Sequence, residues 1–202
     1  MLKPTLTKKT SGVLKSHMKQ EEPLLAQPAI RLAWKKYRHL WKHAEVPARH
    51  LLLKEGDISR RAFLIEKGSI RTWFYHDGKE ISFQFFFEGD VVSSPQSMRK
   101  HIPSPFSIET LEPSTIRWLD AGDMEKVRKD PVLYQFIIEQ AGDKQAEFMQ
   151  HFFSYLKDSP TQRYENLLRQ KPEVIRRVPL QHIASYLGIT QVSLSRIRNK
   201  IK

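Results

Sequence analysis

Gln191, Ser193, Ser195, Arg196, Arg198, Asn199 and Lys200 gather hydrogen-bond donors, acceptors and cations into one short stretch near the end of a 202-residue chain. Side chains of these types suit base edges in a DNA major groove and the phosphates beside it. They can act together only if one helix presents them. The stretch Leu180–Lys202 (LQHIASYLGITQVSLSRIRNKIK) reads as two short helices broken at Gly188. Ile183, Leu187, Ile189, Leu194 and Ile197 then fall on inward faces, with small Ala184 where the helices approach. Gly188 accepts the positive φ that ends the first helix, Ile189 plugs the turn, and Thr190 is placed to N-cap the second helix. The spacing predicts a helix-turn-helix whose outer face carries Thr190, Gln191, Val192, Ser193, Ser195, Arg196 and Arg198. An ordinary helical hairpin with a solvated basic face would satisfy the apolar period alone. The added coincidence of small residue, turn glycine, cap and cationic last turn favours a DNA reader.

Charge agrees with this placement. Lys and Arg total 34 against 22 Asp and Glu, a formal +12. From Lys157 onward there are 10 basic and 3 acidic residues, and residues 1–24 hold 5 against 2, so the middle of the chain is nearly neutral. Positive charge concentrated beside the motif favours a polyanionic partner there. No apolar run approaches the length of a membrane span, and no amphipathic insertion face accompanies the charge, so no membrane partner is expected. The chain has no cysteine, hence no disulfide and no thiolate metal site, which is compatible with a reducing cytoplasm.

The elements that must position the motif follow in order. Residues 1–24 are rich in Lys, Thr and Ser without an apolar period, and a flexible tail is expected. Leu25–Ala44 has a helical pattern, with Ile30, Trp34, Tyr37 and Trp41 on one face. His39 and His43 stand four apart, but without a third ligand they read as surface histidines, and no metal site is expected. From Val46 the period becomes two. Segments around His50–Leu53, Ala62–Glu66, Ser69–His76, Glu80–Phe87, Phe106–Leu111 and Ser114–Leu119 are β-branched or aromatic and are separated by turn signals. Asp77–Gly78 is a hairpin turn. Many short, evenly spaced strands predict a sandwich or jelly-roll barrel.

The order KEGD, FLIEKGSIRTWF, DGKEISFQFFFEGDVV, PSPFSIETLEPSTIRWLD resembles the cyclic-nucleotide-binding β-roll of the cyclic AMP receptor protein/FNR (Crp/Fnr) family of bacterial transcription regulators. The resemblance spans Leu25 to Lys202, with Ser159–Arg177 as the helical segment before the motif. It implies an α+β fold with an N-terminal double-stranded β-helix (jelly-roll, cNMP-binding-like), a long dimerisation helix and a C-terminal helix-turn-helix domain. The expected divisions are a flexible tail at 1–24, the roll at 25–122, the dimerisation helix region at 123–157 and the DNA-binding domain at 158–202.

The ligand segment departs from the family pattern. Members that bind cyclic AMP follow their GD turn with a Gly-Glu pair that grips the ribose, and later present Arg-Ser to the cyclic phosphate. Here the turn is Gly89–Asp90, the first pair reads Ser93–Ser94 and the second Ser104–Pro105. Without the guanidinium a strong charge-assisted contact is lost. Cyclic AMP is therefore not expected, no cofactor is expected, and Gly89, Ser93, Ser94, Ser104 and Pro105 stand as candidate positions for an unidentified effector. Arg99, Lys100 and His101 read as a solvated basic loop, with an anion as the alternative.

Ala121–Ser159 returns to a helical period. Asp130 and Pro131 start a long helix as N-cap and first-turn proline. Leu133, Phe136, Ile137, Gln140, Lys144, Phe148, His151, Phe152 and Tyr155 recur at three and four residues. Such a stripe suits a partner helix, and a core within the chain also satisfies it. The family resemblance implies a parallel homodimer, which would set two reading helices about one DNA turn apart on a roughly palindromic target. It also implies that Gln191, Val192 and Arg196 face base edges, with Thr190, Ser193, Ser195 and Arg198 nearer phosphates. The sequence ends at Lys202, so no wing is expected, and Arg163, Arg169, Lys171, Arg176 and Arg177 are expected to supply much of the grip.

The function expected is that of a cytoplasmic, homodimeric, sequence-specific DNA-binding transcription regulator. Its partners would be double-stranded DNA, RNA polymerase and an unidentified small-molecule effector. The alternative is a non-enzymatic protein-interaction module of the same fold. His50, His76 and His101 have no carboxylate–histidine spacing to suggest an enzyme.

Overall fold

The computed structural model describes Leu32 and residues 35–201. The tail expected at 1–24 lies outside the described residues, as do Ile30 and Trp34 of the first helical pattern.

Among the described residues eight strands form two antiparallel four-stranded sheets. They are β1 (Lys42–Val46), β2 (Leu51–Leu53), β3 (Arg61–Lys67), β4 (Ile70–His76), β5 (Lys79–Phe86), β6 (Val91–Val92), β7 (Ser107–Thr110) and β8 (Ser114–Asp120). One sheet runs β1-β8-β3-β6 and the other β2-β7-β4-β5, with neighbours far apart in sequence, as a jelly roll requires. Period-two alternation explains the packing. Leu53, Phe63, Ile65, Ile70, Phe86, Val92, Ile108 and Ile116 face inward from both sheets and form one buried cluster. The β4–β5 hairpin pairs His76 with Lys79 across Asp77–Gly78, both at positive φ (47° and 75°), the turn form that matches strand twist.

Two local expectations are corrected. The helical pattern read through Ala44 stops at a 3-10 turn, Arg38–Leu40, and Lys42–Val46 is an edge strand paired along β8 from Trp118 to Ser114. The ladder with β8 satisfies the backbone there, and that long-range pairing outweighs local helical periodicity. Arg99 and Lys100, read as loop, close a short helix α1 (Pro95–Lys100) that ends at His101 with φ 54°. Buried Ser97 anchors α1: its hydroxyl accepts from the Ser59 N–H (2.9 Å) and donates to the Ile102 carbonyl (2.6 Å).

Among the described residues six helices follow the roll's own α1, namely α2 (Ala121–Arg128), α3 (Pro131–Lys157), α4 (Pro160–Gln170), α5 (Pro172–Arg177), α6 (Leu180–Tyr186) and α7 (Gln191–Ile201). Asp130 caps α3 by accepting from Val132 and Leu133 N–H, and Ser159 with Gln162 forms a reciprocal capping box on α4. The single stripe read on α3 resolves into two faces. Leu133, Phe136, Ile137, Gln140, Lys144 and His151 are buried or half-buried against the chain itself, where Lys144 Nζ reaches Asp90 at 2.9 Å and the Lys144 carbonyl accepts from Gln84. Phe152 lies on a second, exposed face, and Phe148 and Tyr155 stand at its border, each 38% exposed but touching Phe83 and Tyr186 of the same chain.

Candidate nucleic-acid interface

The last four helices enclose their own core of Tyr164, Leu167, Val174, Val178, Ile183, Ala184, Tyr186, Leu187 and Leu194, joined by Phe85 of β5. Ala184 is buried and Leu194 fully so, as the inward phasing of α6 and α7 requires. Gly188, at φ 65°, ends α6 as a Schellman turn: Ile189 N–H bonds the Ala184 carbonyl and Gly188 N–H the Ser185 carbonyl, each at 3.0 Å. Thr190 Oγ1 then accepts from Ser193 N–H at 3.1 Å and caps α7. A Cβ on Gly188 would lie 2.5 Å from Tyr155 Cε1 of α3. Gly188→Ala is expected to cost about 2 kcal/mol or more, from the left-handed backbone plus the ring contact, measured by denaturant unfolding.

The caps and core leave one face of α7 open. Thr190, Gln191, Val192, Arg196, Asn199 and Lys200 are exposed, and Ser193, Ser195 and Arg198 are half-buried. Val192, 61% exposed, is an apolar side chain displayed among polar ones. Ser193 Oγ is 2.9 Å from Thr190 Oγ1, so this hydroxyl is engaged in the cap. The upstream cations divide. Arg163 donates to the Leu187 and Asp158 carbonyls and lies over the Tyr155 ring, Lys171 pairs with Glu147 at 2.6 Å, and Arg177 is clamped between Glu88 and Glu112. These three fasten the module to the rest of the chain. Arg176 is exposed, and Arg169 bonds its neighbour Asn166.

Sequence reasoning missed how the module is held. Arg71 of β4 has a side chain 2% exposed, and its guanidinium donates to Glu109 (2.6 and 2.8 Å), Glu80, Ser82 Oγ (3.2 Å) and Nδ1 of His182 on α6 (2.8 Å). Ser185 of α6 closes the free edge of β5: its hydroxyl accepts from Ser82 N–H (3.0 Å) and donates to the Glu80 carbonyl (2.8 Å). On the opposite side His151 of α3 stacks on Tyr186 with ring centroids 3.7 Å apart, and Tyr155 OH donates to the Tyr186 carbonyl. Burial, with the nearby Lys171 and Arg163 charges, pushes His151 down to about 4. Burial and the Arg71 guanidinium push His182 down to about 4 as well. Burial alone would raise the Glu88 carboxyl, but hydrogen bonds from Arg177 and from Gly68 N–H hold it below the usual carboxylate range. The one sequence signal for this interface was Arg71 at an interior strand position, where a charged residue needs a partner.

The candidate effector positions lie around α1. Gly89 makes the turn before β6 at φ 88°, Ser93 is half-buried, and Pro105 is exposed. Ser94 and Ser104 are both buried and are brought together, their hydroxyl oxygens 3.1 Å apart, with Ser104 also donating to the Phe106 carbonyl (2.7 Å). Among the described residues no group of three or more His, Asp or Glu side chains is arranged to hold a metal, and no helix is long and apolar enough to cross a membrane.

Residues 43–130 match the model of the cyclic nucleotide-binding domain family. No characterised protein matches the chain in sequence. Among solved structures the chain is similar to the c-di-GMP responsive global regulator CLP of Xanthomonas campestris, with 14% identity and a TM-score of 0.70 over 84% of this chain and 90% of that one. It is similar to FixK2 of Bradyrhizobium japonicum, with 15% identity and a TM-score of 0.67 over 80% and 84%. A protein of Eubacterium rectale assigned to the Crp/Fnr family of transcriptional regulators is 17% identical, with a TM-score of 0.65 over 82% and 80%. The two four-stranded sheets thus fall almost wholly within residues 43–130, which match the cyclic nucleotide-binding domain model, and together with the long helix and the terminal helices they have the fold of solved Crp/Fnr regulators.

Proposed function

We propose that the chain is a sequence-specific DNA-binding transcription regulator that works as a homodimer. The observation that carries this reading is the open face of α7, where Gln191, Val192 and Arg196 are exposed on a helix whose other side is locked into a core by Leu194. Arg196 can bond a guanine edge bidentately, Gln191 can bond adenine, and Val192 can pack on a thymine methyl. Thr190, Ser193, Ser195 and Arg198 lie along the same helix for phosphate contact. The divisions at 24/25, 122/123 and 157/158 assign the tail, roll, long helix and reading domain. RNA polymerase is the further partner this role implies.

The exposed face of α3 supports the second copy. Tyr134, Ile138, Ala141, Gln145 and Phe152 are exposed, and with Phe148 and Tyr155, which border this face while touching Phe83 and Tyr186, they alternate at four and three residues, the repeat that keeps one seam facing a partner helix. A pair of protomers joined there would deliver two α7 helices to successive grooves.

In the roll, Ser94 and Ser104 are turned to each other and to backbone, and neither position offers a cation for a cyclic phosphate. These residues do not fit cyclic AMP, and the effector, if the roll takes one, is of another chemistry.

Binding to genomic fragments, titrated at fixed salt, tests the reading. Arg196→Ala should weaken the best fragment by about 10- to 100-fold, a lost bidentate base contact, while changing random DNA little. Cyclic AMP should leave the titration unchanged. A wild-type protein that prefers no fragment over random DNA, together with an inert Arg196→Ala, overturns the proposal.

A further inference from the structure

The reading module touches the roll through a buried contact that depends on the charge of one ring. We propose that His182 is a proton-sensing residue: it fastens the reading module to the roll only while its imidazole is neutral, and acidification releases the module.

The geometry requires a neutral ring. His182 Nδ1 is 2.8 Å from Arg71 Nη1, and a guanidinium has only donors, so Nδ1 must accept and the hydrogen of the neutral ring sits on Nε2. A proton added at Nδ1 sets donor against donor and cation against cation. Arg71 cannot turn aside, because its side chain is buried and Glu109 holds both Nε and Nη2. His182 is therefore the partner that leaves, and it carries α6 with it. Ser185, one turn on, then loses the β5 edge.

The charges around His182 come from four parts of the roll. Arg71 of β4 and Arg49 of the β1–β2 turn oppose protonation, Glu80 of β5 favours it, and Glu109 of β7 lies behind Arg71 and is bonded to it. Burial is the largest influence and also opposes the proton. His151, on the α3 side of the module, is a second neutral ring, faced by Tyr186, Tyr155, Arg163 and Lys171, with Glu147 paired to Lys171. The sign follows from linkage. His182 lies near 4 when docked against an ordinary 6.5, so docking is at full strength above pH 6.5 and weakens as the pH falls from 6.5 toward 4. One proton weakens docking by at most about tenfold per pH unit in that window.

This device rests on the DNA-reading role for its biological meaning, but it is tested without DNA, so either can fail alone. The chain has no cysteine, so Arg60→Cys in the roll and Asn199→Cys on α7 accept a dye pair for energy transfer, with excess unlabelled chain to keep one labelled copy per assembly. Between pH 6.5 and 5.5 the open-to-docked ratio should rise about fivefold through His182, since half of the undocked imidazole is already protonated at its ordinary value. His182→Gln keeps a neutral acceptor for Arg71 and should remove that factor, both alone and in a His151→Phe background. An unchanged pH profile in His182→Gln, or a ratio in the wild type that stays constant from pH 7 to 5, overturns the proposal. If His182→Gln fails to fold, imidazole NMR of the wild-type chain decides: His182 still neutral at pH 5.5 supports the device, and titration near 6.5 overturns it.

Discussion

Arg71→Ala is expected to lower the unfolding free energy by about 3–5 kcal/mol, the usual cost of removing one partner from a buried charge cluster. The loss is large because Glu109, only 14% exposed, would keep its charge with its main counterion gone. Ser82 Oγ and His182 Nδ1 would lose a donor as well. Denaturant unfolding measures the cost. Arg71→Met combined with Glu109→Leu removes both charges and should recover most of it, since an apolar pair of similar volume is often as stable as the ion pair it replaces. A single variant within about 1 kcal/mol of wild type would mean that the guanidinium contributes no more than a surface pair.

The second large effect concerns the α3 seam. Ile138→Glu with Phe152→Glu places two carboxylates on side chains that are 52% and 48% exposed in the single chain, so the protomer itself should stay folded. Facing another α3, the same carboxylates would be desolvated beside their own copies. Sedimentation should show a monomer, and affinity for a two-half-site fragment should fall by roughly 10²- to 10⁴-fold, the gain that linking two binding modules provides. Affinity for an isolated half-site should change little. Retained dimerisation would place the partner contact elsewhere on the chain.

Much of the architecture was legible because it follows from short-range rules. Six strands were readable from period-two alternation and flanking turns, and each lies within about one residue of its expected place, inside normal boundary uncertainty. The Asp130 cap of α3, the Gly188 turn and the Thr190 cap were readable because each device acts over three to five residues. Strand β1 was not, since Lys42–Val46 has a local pattern that also suits a helix, and only β8, some seventy residues later, decides between them. The α3 stripe was legible as apolar but not as two stripes. A helix of 27 residues passing a roll on one side can carry a second apolar face on the other, and a list of three- and four-residue spacings mixes the two.

At the candidate interface the same division holds. The sequence by itself determined the paired helices, the Gly188 turn, the Thr190 cap and the exposure of Thr190, Gln191, Val192 and Arg196, because caps, turn glycine and apolar phase are local, whereas Ser193, Ser195 and Arg198 are half-buried. Only the tertiary structure decided which cations remain exposed. Arg196 stays exposed, whereas Arg177 is held by Glu88 and Glu112, and Lys171 by Glu147. Only the fold could join Arg71 to His182, 111 positions apart, or set Ser94 against Ser104. The physical reason is that a charge or hydroxyl is equally at home in water or in a pair when read from the chain alone. Which it meets depends on desolvation and on partners that folding brings from distant strands and helices.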